Sequence, residues 1–214
     1  MRLFLTFIVA VGLSFLLQGC AQKKDEIYDK PALFWYKLIV KDIKNLDLDK
    51  ADSHLTSMSS EHVASPLLEP AILILAQAHM DNEEYLLANF YLDTYIKRFG
   101  TNVKNEYAQY MKIKANFLSF KYANRNQQLL LKTIQETRNY VRAYPYSIYN
   151  PLIYTMLTKM ELGKYYLDKD IKDLYGRTGS DTSEKIYEQM IENSPLKDAK
   201  MIEPSKPWYR SIFE

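Results

Sequence analysis

From Pro31 to about Asn193, apolar residues recur at intervals of three and four, the spacing of helices that each bury one side. In the first segment Leu33, Trp35-Tyr36, Ile39-Val40 and Ile43 fall on one side, and Pro31 suits a helix's first turn. Asp47-Leu48-Asp49 breaks that run before Ala51, Leu55 and Met58 carry it onto a second helix. No stretch sustains the period-2 alternation of a strand, and glycine is scarce, 6 in 214 residues. The pattern predicts an all-α chain of seven or eight helices, over 31–45, 48–61, 67–81, 84–99, 103–123, 127–143, 148–175 and 181–193.

The breaks between these helices recur at Ser65-Pro66, Phe99-Gly100, Tyr144-Pro145 and Ser194-Pro195. Pro66 to Gly100 is 34 residues, and within it Leu75-Ala76, Tyr85, Ala88, Leu92 and Tyr95-Ile96 resemble the spacing of a tetratricopeptide repeat. Ala76 and Ala88 are small where paired helices would cross closest. Tyr85 and Leu92 would fill the gap to the next pair, and Gly100 would end the second helix. His79 stands where that motif usually has tyrosine. The later intervals of 45 and 50 residues imply longer helices. The fold expected for 31–195 is a tetratricopeptide-repeat superhelix of about four helix pairs with a concave groove.

Ahead of the repeats lies an uncharged run, Leu3 to Leu17, behind Arg2. It is too short to span a bilayer comfortably but suits a secretory signal. Its ending, Leu17-Gln18-Gly19-Cys20, resembles a bacterial lipobox, which would make 1–19 a removed signal and Cys20 an acylated N-terminus. An ordinary signal peptide or a single-pass anchor is the plainer alternative. Cys20 is the chain's one cysteine, so its acylation would leave no thiol for disulfides, metal ligation or catalysis. No other cofactor is expected. With 28 basic and 26 acidic side chains the formal net charge is +2, which argues against nucleic acid as a partner. Residues 20–30 form a polar tether reaching at most ~35 Å. It would hold the domain near the membrane without laying it on the surface. Ala21, following the cysteine, is not the aspartate of inner-membrane retention, so the outer membrane's periplasmic face is the expected site.

The order of these features resembles the BamD family, lipoproteins of the outer-membrane β-barrel assembly machine. Asn105-Glu106-Tyr107-Ala108-Gln109-Tyr110-Met111-Lys112 is similar to the opening of that family's third repeat. Val141-Arg142-Ala143-Tyr144-Pro145-Tyr146-Ser147-Ile148-Tyr149 is similar to its Tyr-Pro-x-Ser-x-Tyr turn. Leu162-Gly163-Lys164-Tyr165, Leu174-Tyr175 and Arg177-Thr178-Gly179 are similar to its long fourth-repeat helix. The family usually carries a fifth repeat, where this chain has a tail over 196–214. The family's basic coupling residue aligns at Ile186, with Lys185 beside it.

The resemblance implies a non-enzymatic scaffold with two binding surfaces. One is an N-terminal groove for unfolded barrel precursors, with Tyr28, Trp35, Tyr36 and Lys37 suited to an aromatic-ended, carboxylate-terminated peptide. Trp35 and Tyr36 fit equally as stacking residues between helices. The other surface, at Tyr175, Arg177 and Lys185, would dock the POTRA domain of BamA, with further Bam lipoproteins as additional partners. Alternatively Arg177 caps the last carbonyls of its helix. In the tail, Pro207 would open a short helix with Trp208, Ile212 and Phe213, either capping the solenoid's end or binding a partner. Neither the three histidines, His54, His62 and His79, nor Asp168 and Asp170 beside lysines form a catalytic or metal-spacing motif. Two rivals stand beside this reading. One is another periplasmic tetratricopeptide lipoprotein, such as a secretin pilotin or a peptidoglycan-enzyme adaptor. The other is a cell-wall hydrolase.

Overall fold

Every regular element in the computed structural model, which describes residues 28–120 and 126–199, is an α-helix. In chain order these are α1 (Ala32–Lys44), α2 (Leu48–Glu61), α3 (Leu68–Asp81), α4 (Tyr85–Phe99), α5 (Asn102–Ser119), α6 (Gln127–Ala143), α7 (Asn150–Thr178) and α8 (Asp181–Glu192). The signal, Cys20, the tether through residue 27 and the tail from residue 200 lie outside the described residues. So do residues 121–123 of the expected fifth helix.

Each helix packs on the next, and α1 also touches α3 as α5 touches α7. Contact of first helix with first helix is the stacking rule of a tetratricopeptide solenoid, in which no hairpin hides its apolar face alone. Ala76 and Ala88 are fully buried, as the close crossing of α3 and α4 requires, and Leu75 and Leu92 fill the adjoining core. The longer repeat intervals became longer helices: α5 has 18 residues and α7 has 29.

The turns repeat as well. Within the first two hairpins the chain passes through Asn45-Leu46-Asp47 and Asn82-Glu83-Glu84 in the same way. Leu46 and Glu83 take positive φ, 58° and 61°, and the following amide reaches back to Asp42 O at 2.9 Å and to His79 O at 2.8 Å. After α2, α6 and α8 a serine sets the turn. Ser65 Oγ accepts from the Leu67 amide, Ser147 Oγ from Tyr149 and Ser194 Oγ from Leu196, each at 3.2 Å. Ser147 is thus the counterpart of Ser65, and Pro145, the expected marker, sits two residues ahead of it.

Gly100 ends α4 as expected but with φ −58°, so it is not needed for a left-handed cap. It is needed for room, because a Cβ there would lie 2.4 Å from Ile96 O and 2.6 Å from Asn105 Oδ1. The left-handed cap belongs to Gly179, φ +73°, whose amide bonds to Tyr175 O. That is why α7 runs to Thr178 and passes the expected stop at 175: Gly176 is accommodated inside the helix, and only Gly179 turns the chain.

Candidate docking surfaces

Helical spacing splits α1 into two faces. Trp35, Ile39 and Asp42 point into the core, while Leu33 and Lys37 are exposed and Tyr36 and Val40 are half-buried. Trp35 is only 2% exposed, its Nε1–H donates to Glu61 Oε2 at 2.7 Å, and its ring packs on His54 at 5.7 Å. It therefore cannot offer its ring to a bound peptide, and the expectation that it lines the groove is corrected here. The reason is register: Trp35 shares the Ile39 stripe, one helical position away from the exposed one. Tyr36 keeps one side free, packing its other side on the core, and Tyr28 is exposed where the described chain begins. Leu33 and Val40, absent from the expected set, complete the Tyr36–Lys37 face.

The histidines each have their own partner. His54 Nδ1 lies 2.6 Å from the buried Asp42, and His62 Nε2 lies 2.5 Å from Lys30 O. His79 is buried between two carboxylates, with Nδ1 at 2.6 Å from Glu84 and Nε2 at 2.9 Å from Asp52. Its ring stacks on Tyr91, whose hydroxyl donates to the same Asp52 oxygen at 2.6 Å. Burial first, and then the Asp52 carboxylate, push the Tyr91 phenol well above its ordinary value. The departure of His79 from the repeat's usual tyrosine is thus a polar bolt across α2, α3 and α4. Asp168 is buried and paired with Lys164 one turn back.

At the other end, α8 holds no fully buried residue, and Ile186 and Met190 stay about half exposed. Tyr187 leans on Tyr175 with ring centroids 5.8 Å apart, so Tyr175 helps clamp α8 to α7. Arg177 and Lys185 are exposed. The carbonyl of Tyr175 is satisfied by the amides of Gly179 and Ser180, so Arg177 is not what caps that group. Met190 continues into a cavity of about 270 Å³ walled by Ile134, Arg138, Glu161, Tyr165 and Pro195, where Arg138 pairs with Glu161 at 2.6 Å. The expected site residues therefore do not meet: Tyr28, Tyr36 and Lys37 stand at the first hairpin, and Tyr175, Arg177 and Lys185 at the last. Ile186 and Met190, four apart on α8, form an apolar pair outside the expected docking set.

Comparison with known proteins bears on this architecture directly. The model of the YfiO family, described as outer membrane lipoprotein, matches residues 28–175. The "Outer membrane protein assembly factor BamD" of Helicobacter pylori (strain ATCC 700392 / 26695) is 37% identical over 216 residues, covering 99% of this chain and 96% of that one. This chain belongs to the BamD family. The match to the family model ends at Tyr175, so α8, with Lys185 and Ile186, lies outside the matched residues. The H. pylori BamD spans it nonetheless, and the family ties the chain to the outer membrane.

Proposed function

We propose that this chain, an outer-membrane protein assembly factor by family, works without chemistry of its own. It is a scaffold held on the periplasmic face of the outer membrane by lipid on Cys20, and that lipid is its one covalent attachment. The last hairpin grips a POTRA domain of BamA, and the exposed face of α1 receives the aromatic end of an unfolded barrel precursor. Further Bam lipoproteins would join along the remaining helices.

The observation that carries the docking reading is α8. An amphipathic helix, the last one described, with Ile186 and Met190 half exposed next to Lys185, has the apolar centre and charged rim of a protein interface. At the first hairpin, Leu33, Tyr36 and Lys37 offer an aliphatic contact, a flat ring and a cation within two turns, the groups that an aromatic residue ending in a carboxylate would use.

Affinity purification from detergent-solubilised envelopes tests the assignment. The full chain should recover BamA, and Ile186→Asp should lose most of it while leaving the circular dichroism spectrum helical. Recovery of a secretin or a peptidoglycan hydrolase in place of BamA would overturn the proposal.

A further inference from the structure

The turns that join one hairpin to the next line up along one edge of the stack, and the contacts between them show it. His62, after α2, meets Lys30 O, ahead of α1. Arg98, near the end of α4, donates to Val63 O at 3.3 Å. Lys104 in the first turn of α5 pairs with Glu69 in the first turn of α3 at 2.6 Å. Tyr149, ahead of α7, stacks on Tyr110 of α5 at 4.4 Å. The described chain enters at this same edge, at Tyr28.

Four large apolar side chains stand out from it: Val63 is 65% exposed, Val103 74%, Tyr146 98% and Ile148 81%. The last two ride on a turn that is anything but loose. Asn150 Nδ2 donates to both Tyr144 O and Pro145 O at 3.0 Å, and the buried Tyr140 hydroxyl meets Ser147 Oγ at 2.8 Å. The turn is braced from beneath, so its tips are held in water by design of the fold and cannot fold back onto the core.

Among the described residues, charge is divided unevenly between the two edges. Around the apolar tips lie Lys30, Lys97, Arg98, Lys104 and Arg142. The acids nearby are Asp29, Glu61, which accepts from Trp35, Glu69, which is engaged by Lys104 and Tyr95, and Glu106, whose charge reaches the buried Tyr140. The opposite edge, at the described turns within hairpins, carries Asp47, Asp49, Asp81, Glu83, Glu84, Asp181 and Glu184 against Lys44, Lys50, Arg177 and Lys185.

We propose that the edge bearing Val63, Val103, Tyr146 and Ile148 faces the bilayer, with these side chains seated among the headgroups and the surrounding cations paired with anionic lipid phosphates. Aliphatic and tyrosine tips ringed by lysine and arginine are the composition of an interfacial contact. The inference rests on the lipid anchor proposed above. From Cys20 to Tyr28 is eight residues, a reach of at most about 28 Å, and that reach ends at this edge. Once tethered, the edge meets the membrane at high effective concentration, so weak contacts suffice. The expectation that the tether holds the domain near the membrane without laying it on the surface gives way to a domain resting on it by one side.

The test uses the acylated full chain in vesicles of three parts phosphatidylethanolamine to one part phosphatidylglycerol. Cys20 is occupied, so Tyr146→Cys, Val103→Cys and, on the opposite edge, Leu46→Cys and Leu86→Cys can each carry one environment-sensitive fluorophore. A parallel arm holds the same chain by a histidine tag replacing residues 1–20 on nickel-chelating lipid, keeping the tether. Flotation of the acylated chain reads the anchor; probe emission in either arm reads the edge. Emission at 146 and 103 should shift to the blue and be quenched by headgroup-labelled nitroxide lipid, less so when phosphatidylglycerol is omitted, while 46 and 86 stay unshifted. Failure to float, with the shift intact in the nickel arm, would sink the anchor and leave the edge standing. Probes that remain in water at 146 and 103 in the nickel arm, equal shifts at both edges, or a shift that appears only when envelope proteins are added would overturn the inference.

Discussion

Tyrosine is abundant in this chain, 18 residues, and its burial gives the molecule a pH limit. Tyr95 and Tyr140 are buried, and burial is the main cause that pushes each phenol up to about 12. For Tyr95 the Glu69 carboxylate adds to the rise; for Tyr140 the Ser147 hydroxyl works against it. An unfolded phenol ionises near 10, so between there and about 12 the unfolded state has released a proton that the folded state still holds. Stability is therefore full below pH 10 and drains away as pH rises through the folded values. The thermal midpoint should fall across that window, less steeply in Tyr140→Phe; a midpoint flat to pH 12 would refute the burial assigned to these rings. Trp35 carries a different lesson at this scale. Its one-position offset from Tyr36 decides between core and groove, and apolar character alone does not reveal which of two adjacent rings turns inward.

Among elements, helices were easier to read than the turns between them. Long stretches such as α5 and α6 repeat their apolar residues often enough to fix type and approximate extent, and a few small residues, Ala76 and Ala88, locate the crossing of α3 and α4. Turns depend on single side chains and on backbone sign, which periodicity does not encode: Ser147 and not Pro145 sets the third inter-hairpin turn, and Gly179 and not Gly176 stops α7. The polar bolt at His79 was equally hidden, because Asp52 and Tyr91 come from two other helices and Glu84 from the turn between α3 and α4. Two substitutions separate the kinds of turn. Gly100→Ala drives a methyl group into a backbone carbonyl and should cost about 1–3 kcal/mol, the range for overpacking. Leu46→Gly relieves a left-handed leucine that is mostly exposed and should gain up to about 1 kcal/mol, since glycine's greater unfolded freedom offsets part of the relief. Urea midpoints moving in the same direction for both variants would contradict these turn geometries.

For the whole molecule, one length of stacked hairpins keeps two unlike surfaces apart: α1, near the tether, and α8, beyond the part matched by the family model. Separation suits a scaffold, which works by holding one partner while another arrives. That architecture suits, and the relationship to the H. pylori assembly factor supports, outer-membrane protein assembly as the process served. Depleting this chain from its own cells and measuring folded barrel protein in the outer membrane tests that claim most directly. The account predicts that heat-modifiable, folded barrels decline while unfolded precursors accumulate in the periplasm; barrel content that stays unchanged after depletion would contradict it.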